Sequence, residues 1–232
     1  MTSLLPRHMS FGAYTGVLSG SFVRAVVNTI VVSAIATLAG VIVASVGGYA
    51  FARFTFPGRK IFLLVALVAR MIPAILMILP LYLIIRTLGL LNTYYGLILV
   101  YVTITLPLAV WLVTSFFRGI PKEIEEAAIM DGCSAWGVFT RVIVPLSLPG
   151  ISAIALFVFL GAWNDFLFAL TLTTTDKMYT IQVALSLFIT EGTVNWNYMM
   201  AAAVISTLPV AGLYIVLQRF LIQGLTAGAV KA

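Results

Sequence analysis

Residues 118–150 read RGIPKEIEEAAIMDGCSAWGVFTRVIVPLSLPG and form the longest polar-containing interruption in an otherwise very apolar chain. Pro121 suits the first turn of a helix, where a missing N–H costs nothing. Glu123, Glu125 and Glu126 follow, where carboxylates favour the positive end of the helix dipole. Ala127, Ala128, Ile129 and Met130 propagate that helix, and Asp131-Gly132 is a pair suited to a left-handed C-cap. Ser134 is placed to cap a second short helix that carries Trp136 and Phe139 and stops before Pro145. The stretch therefore predicts two short helices making an elbow outside a bilayer, with apolar side chains offered for docking to a partner.

The sequence on either side explains why a bilayer is invoked. Of 232 residues, 62% are hydrophobic and 9% charged, against roughly 25% charged in ordinary globular proteins. Such a chain cannot cover itself with a soluble surface, so an integral membrane protein is expected. Five stretches are long enough for a hydrocarbon core of ~30 Å, which takes about 20 helical residues. They run near Val23–Ala52, Ile61–Ile85, Tyr94–Phe117, Pro149–Leu172 and Tyr198–Arg219. The fold class is thus all-α, a polytopic bundle with an external segment 1–22, a membrane-spanning domain 23–222 containing the elbow 118–148, and a tail 223–232. Prolines at 73, 80, 107 and 209 fall inside these stretches and predict kinks, either for packing or as hinges. Small residues in the first (Ala34, Ala36, Ala39, Gly40, Ala44, Gly47, Gly48) and Ala201–Ala203 in the last permit close helix approach.

Charge sets the orientation. One set of loops holds Arg53, Arg59, Lys60, Arg118, Lys122, Arg141, Arg219 and Lys231; the other holds Arg7, Arg24, Arg86 and Lys177. Basic residues accumulate on the inner side, so eight against four places the elbow and the C-terminus in the cytoplasm and Met1 outside. The same rule accounts for the net charge of +6 without nucleic acid. The single cysteine, Cys133, excludes an intrachain disulfide. The opening MTSLLPRHMS lacks the continuous apolar core of a signal peptide.

Glu126-Ala127-Ala128, three residues, Gly132, nine residues, then Val142-x-Val144-Pro145 resembles the EAA loop of ATP-binding-cassette (ABC) importer permeases. The family's pattern ends I-x-L-P, from which Val142 and Val144 depart conservatively. Arg53-Phe54-Thr55-Phe56-Pro57-Gly58-Arg59, Gly161-Ala162-Trp163-Asn164-Asp165 and Gly224-Leu225-Thr226-Ala227-Gly228-Ala229-Val230-Lys231 are similar to the carbohydrate-importer branch. Within it the chain looks like the second permease subunit of maltose-type and glycerol-phosphate-type systems, from about Phe22 to the C-terminus. The resemblance implies a multi-pass subunit of a bacterial or archaeal plasma membrane. Its partners would be a second permease, two ATPase subunits, an extracytoplasmic solute-binding protein and the lipid bilayer. ATP and Mg would be held by the ATPase, with no cofactor on this chain. It also implies usually six spans, so the first is expected upstream of Met1, a shortened form being the alternative.

Two groups of residues are candidates for function. In the elbow, Glu126, Ala127, Ala128, Asp131 and Gly132 are expected to couple to the ATPase. The alanines are small enough to seat the helix in a groove, Gly132 turns the chain back, and the acids meet basic or hydrogen-bonding groups. At membrane depth Arg70 and Asp165 are costly charges, and such residues mark a pathway or a pair. Either they pair, or Asp165 with Trp163 and Asn164 makes a polar, aromatic lining for a sugar. The stretch 173–197, with Asp176, Lys177, Glu191 and Trp196, is read as the largest outside loop; the resemblance implies that it faces the binding protein, a solvated connector being the alternative. The segment after Arg219 is read as a small, flexible tail near the ATPase.

Enzyme chemistry lacks its parts. No G-x-x-x-x-G-K-[ST] loop or G-x-S-x-G elbow occurs, and one histidine, His8, with one cysteine makes neither a histidine-dependent triad nor a zinc site. The expected function is ATP-driven import of a sugar by alternating access, with glycerol phosphate or a polyol as alternative cargo. An ATP-independent secondary transporter is the further alternative.

Overall fold

The computed structural model describes residues 11–18, 20–190 and 193–229, and the side chains of all these but 190, 193, 194 and 219–229. Arg7, His8, Glu191 and Lys231 lie outside the described residues. The chain opens with α1 (Gly12–Leu18) and α2 (Phe22–Arg53), followed by α3 (Arg59–Ala69), α4 (Ala74–Thr87) and α5 (Tyr94–Arg118). The elbow comprises α6 (Lys122–Met130), α7 (Ala135–Val138), a π segment (Phe139–Ile143) and α8 (Val144–Leu146). Then come α9 (Leu148–Trp163), α10 (Leu167–Leu172), α11 (Ile181–Ser186), a two-residue hairpin of β1 (Ile189–Thr190) with β2 (Thr193–Val194), and α12 (Trp196–Ala229).

Three helices, α2, α5 and α12, are long and apolar enough to cross a membrane unbroken. Two bent helix pairs, α3 with α4 at 104° and Ala135–Leu146 with α9 at 78°, bring the number to five if each pair is one span. The second expected span is therefore broken, where a kinked helix was anticipated. Arg70, Met71 and Ile72 bond tightly to carbonyls three residues back, and Pro73, with no N–H and an extended ψ of 132°, turns the chain away. Pro80, Pro107 and Pro209 stay inside helices, as expected. The fourth expected span also needs correction. Its helix ends at Trp163, and Asn164–Phe166 separate it from α10. The last helix continues as far as Ala229, past the expected end at Arg219 and into the expected flexible tail.

The bundle is built around α2, which packs along α5 and α9, while α9 also packs on α12. Apolar contact alone cannot drive this in lipid, because acyl chains are as apolar as leucine; close packing and buried polar contacts must do so. Gly48 is one such point. A Cβ there would lie 2.1 Å from Val113 Cγ1, so only glycine lets α2 touch α5. Thr114 Oγ1 donates to the Gly48 carbonyl at 3.4 Å across the same contact.

Near the N-terminal end of α2, away from the elbow, Asn28 is buried. It donates to the carbonyls of Lys177 and Tyr179 at 2.9 Å each and accepts from the Tyr94 hydroxyl at 2.7 Å. Thr29 Oγ1 accepts from the Ile181 N–H at 2.8 Å. Asn92, at φ 57°, accepts from the N–H groups of Thr174 and Thr175. Residues 174–181 are thus stitched to α2 and to the connection between α4 and α5, and Ile181, Val183 and Ala184 of α11 are buried. Residues 174–177 stay exposed, while Thr180, Ile181, Val183 and Ala184 are buried in the bundle.

Candidate functional site

The elbow forms where three chain segments meet below α2 and α5. Helix α6 starts one residue later than the proline rule suggests: Pro121, at ψ 138°, stands before the first turn, with Glu123 and Glu125 inside it. Gly132 adopts φ +86°, the left-handed C-cap expected, and the Cys133 N–H closes back on the Ala128 carbonyl at 3.0 Å. Ser134 Oγ accepts from the Gly137 N–H at 3.2 Å and so caps α7. The second helix does not stop before Pro145. The Val144 N–H reaches the Phe139 carbonyl, an i→i−5 bond, and this wider π turn carries the chain through the proline to Leu146.

Helix α6 has two faces. Glu125 and Ala128, one turn apart, face the protein. Glu126, Ala127, Ile129 and Met130 face away, as do Asp131 and Gly132 beyond the helix, with Met130 87% exposed. Trp136 on α7 is 64% exposed. The five coupling candidates therefore lie on one corner of the elbow, four of them exposed and Ala128 half-buried behind them.

What holds this corner was not visible among the residues singled out from the sequence. Glu125 forms an ion pair with the Nε of Arg53, the last residue of α2, and the two side chains are 12% and 9% exposed. Tyr49 donates its hydroxyl to the other carboxylate oxygen of Glu125 at 3.0 Å, and Arg53 Nη2 donates to the Ile120 carbonyl at 3.0 Å. Beside the pair, Tyr49, Phe117 and Phe139 pack ring against ring at 5.0–6.3 Å, and Val138 and Ile143 enter the same core. The elbow is thus clamped to the C-terminal ends of α2 and α5 by a buried charge pair and an aromatic wedge. The available signal was the i, i+3 relation of Glu125 to Ala128 together with an arginine closing the first span.

The membrane-depth candidates do not converge. Arg70 stands exposed at the α3–α4 break, donates to the Ile104 carbonyl at 3.4 Å and lies 5.4 Å above the Phe157 ring. It borders a cavity of about 90 Å³ shared with Thr103 and Pro107, and Pro107 has no N–H to offer the Thr103 carbonyl one turn back. Asp165 instead accepts from the Tyr101 hydroxyl at 2.9 Å and from the N–H groups of Phe168 and Ala169, capping α10. The Arg70–Asp165 pair is therefore not formed; Arg53–Glu125 is the ion pair among the described residues. Trp163, 2% exposed and stacked on Phe159, is core rather than lining. Asn164 is exposed and bonds back to the Leu160 carbonyl.

Comparison with known proteins adds the following. Residues 36–227 match the family described as binding-protein-dependent transport system inner membrane component. The chain is 39% identical over 231 residues to the trehalose transport system permease protein SugB of Mycobacterium tuberculosis, covering 98% of this chain and 84% of that one. It is 40% identical over 205 residues to the trehalose/maltose transport system permease protein MalG of Thermococcus litoralis, covering 88% and 74%. Among solved structures it is similar to a chain of a bacterial ABC transporter involved in import of the acidic polysaccharide alginate. That match has a TM-score of 0.81 at 27% identity, covering 93% of this chain and 81% of the other.

Proposed function

The chain belongs to the family of binding-protein-dependent transport system inner membrane components, and from that premise we propose how it does its work. It is a permease subunit of an ATP-driven importer of sugars in the plasma membrane, working with a second permease, ATPase subunits and an extracytoplasmic solute-binding protein. It is not itself the enzyme of the system. ATP and Mg are held by the ATPase partner, and this chain supplies no residue to them.

The cycle runs through the elbow. Glu126, Ala127, Asp131 and Gly132, with Met130 beside them, seat against the ATPase. Ala128 supports them from behind. When ATP closes the ATPase pair, the displaced elbow pulls on α2 through Arg53–Glu125 and through Tyr49 packed on Phe139, and on α5 through Phe117 packed on Phe139. The observation that carries this reading is the clamp itself: a rigidly attached elbow transmits displacement, whereas a loose loop absorbs it. At membrane depth, Arg70 and Asn164 are the residues proposed to meet water and cargo, since both are exposed while Trp163 and Asp165 are occupied by the fold. An exposed guanidinium inside lipid is costly, so Arg70 faces the translocation path rather than acyl chains.

Related chains named for trehalose and for trehalose/maltose make a disaccharide the first cargo to test. The experiment is uptake into vesicles carrying the complete importer, with binding protein and a panel of disaccharides, glycerol phosphate and a polyol. Disaccharide uptake that requires ATP and the loaded binding protein is expected. Uptake that persists without the ATPase and collapses with the proton gradient would overturn the reading.

A further inference from the structure

A cavity of about 550 Å³ lies where α2 ends, α3 begins and α5 passes into α6, beside the elbow and apart from its exposed corner. Arg59, Arg118 and Lys122 line it, together with Glu123 and the already paired Arg53. Arg59 Nη1 donates to the Phe54 carbonyl at 3.0 Å and Arg118 Nη2 to the Phe51 carbonyl at 3.4 Å. Both guanidiniums are thus held by the open C-terminal carbonyls of α2, and most of their N–H groups stay available to another acceptor. Among the described residues no carboxylate lies within ion-pair distance of Arg59, Arg118 or Lys122, Glu123 included. Three cations against one carboxylate leave an excess of two positive charges around one space. The inward bias of basic residues explains how many cations sit on this side; it does not explain their convergence on a cavity.

The second observation is what rises from the rim. Arg59 opens α3, and Ile61, Phe62, Leu64 and Val65 make the next turns an exposed apolar face. A cation cluster at the level where membrane helices end, continuous with an apolar wall running into the bilayer, matches one class of ligand: a phosphodiester with acyl chains attached. Clusters of arginine and lysine at the cytoplasmic surface attract anionic headgroups. We infer that this junction binds the phosphate of an anionic phospholipid from the cytoplasmic leaflet, with its chains along α3. Lys122 is the first residue of α6, so the bound lipid steadies the base of the elbow. The inference rests on the permease reading only for which face of the membrane is cytoplasmic.

The test uses the assembled importer in nanodiscs of phosphatidylcholine alone or mixed with phosphatidylglycerol, with co-retained lipid read by native mass spectrometry. Wild type retains phosphatidylglycerol in preference to phosphatidylcholine. Arg59→Gln, Arg118→Gln and Lys122→Gln each weaken that preference, and the triple variant lowers it by about tenfold or more. Arg141→Gln, an exposed elbow cation away from the cavity, leaves it unchanged. Equal retention of both lipids, or an equal loss in Arg141→Gln, would overturn the site. Displacement of phosphatidylglycerol by inorganic phosphate or glycerol 3-phosphate would assign it to free phosphate and refute the lipid. Loss of the ATPase subunit from the triple variant would make these residues a protein contact and refute it equally. Uptake by the wild type in phosphatidylcholine alone tests the transport reading separately.

Discussion

Replacing Arg53 by methionine removes the guanidinium from a site that leaves the pair 9% and 12% exposed, and strands the Glu125 carboxylate with the Tyr49 hydroxyl as its one remaining side-chain partner. Breaking a buried pair on one side costs about 3–5 kcal/mol, because the surviving charge is left without compensation. At 1.4 kcal/mol per tenfold, the elbow's docked-to-undocked ratio falls by roughly two to three and a half decades. The aromatic wedge and the exposed corner are untouched, so the ATPase stays bound while displacement reaches α2 through Tyr49 alone, without the ion pair. Arg53→Met is therefore expected to hydrolyse ATP without matching uptake. Arg53→Met combined with Glu125→Leu removes both charges from an apolar setting, and such replacements are often nearly neutral. The double variant should recover much of the coupling, a several-kcal/mol departure from additivity. The assay is moles of ATP hydrolysed per mole of sugar accumulated in reconstituted vesicles. Wild-type coupling in Arg53→Met, or a double variant no better than the sum of the singles, would refute the clamp.

Other outcomes follow from the same structure. A Cβ on Gly150 would sit 2.4 Å from the Phe116 ring, so Gly150→Ala should lower the thermal unfolding midpoint of the importer through about 1–3 kcal/mol of overpacking. Arg70→Gln and Asp165→Asn should have effects on uptake that add to within about 0.5 kcal/mol, since the two side chains share no partner; rescue of one by the other would restore the pair. Gly132→Val places a β-branched side chain at φ +86°, costing roughly 1–2 kcal/mol, and should weaken ATPase co-purification while leaving the rest of the bundle folded.

Much of the fold was legible because bilayer crossing leaves a coarse signature. Long apolar stretches marked α2 and α5 almost to the residue and the start of α12 to within two, and Gly132 and Ser134 declared their caps. The misreadings share one cause. Inside an apolar run, nothing in composition separates a kinked helix from a broken one. Pro73 ends a helix and Pro107 does not, because neighbouring helices decide whether the freed backbone groups are satisfied in place. Asp165 was placed at membrane depth, but its role as the cap of α10 depends on a break at Asn164 that hydropathy does not show. The elbow was recognised by its spacing, yet its anchoring residue came out as Glu125, one position before the motif's glutamate. That distinction depends on Arg53, seventy-two residues earlier in the chain, and long-range pairing of this kind is invisible to local pattern.

The most direct test of the central claim is site-directed crosslinking at Met130, the most exposed large apolar side chain of the elbow. The Met130→Cys variant, in a background where Cys133 is serine, would be probed in right-side-out and inverted vesicles. The account predicts labelling by a membrane-impermeant thiol reagent only in inverted vesicles, and crosslinking to the ATPase subunit that changes in yield when ATP is added. Labelling from outside, or no crosslink to the ATPase in a transport-competent importer, would contradict it.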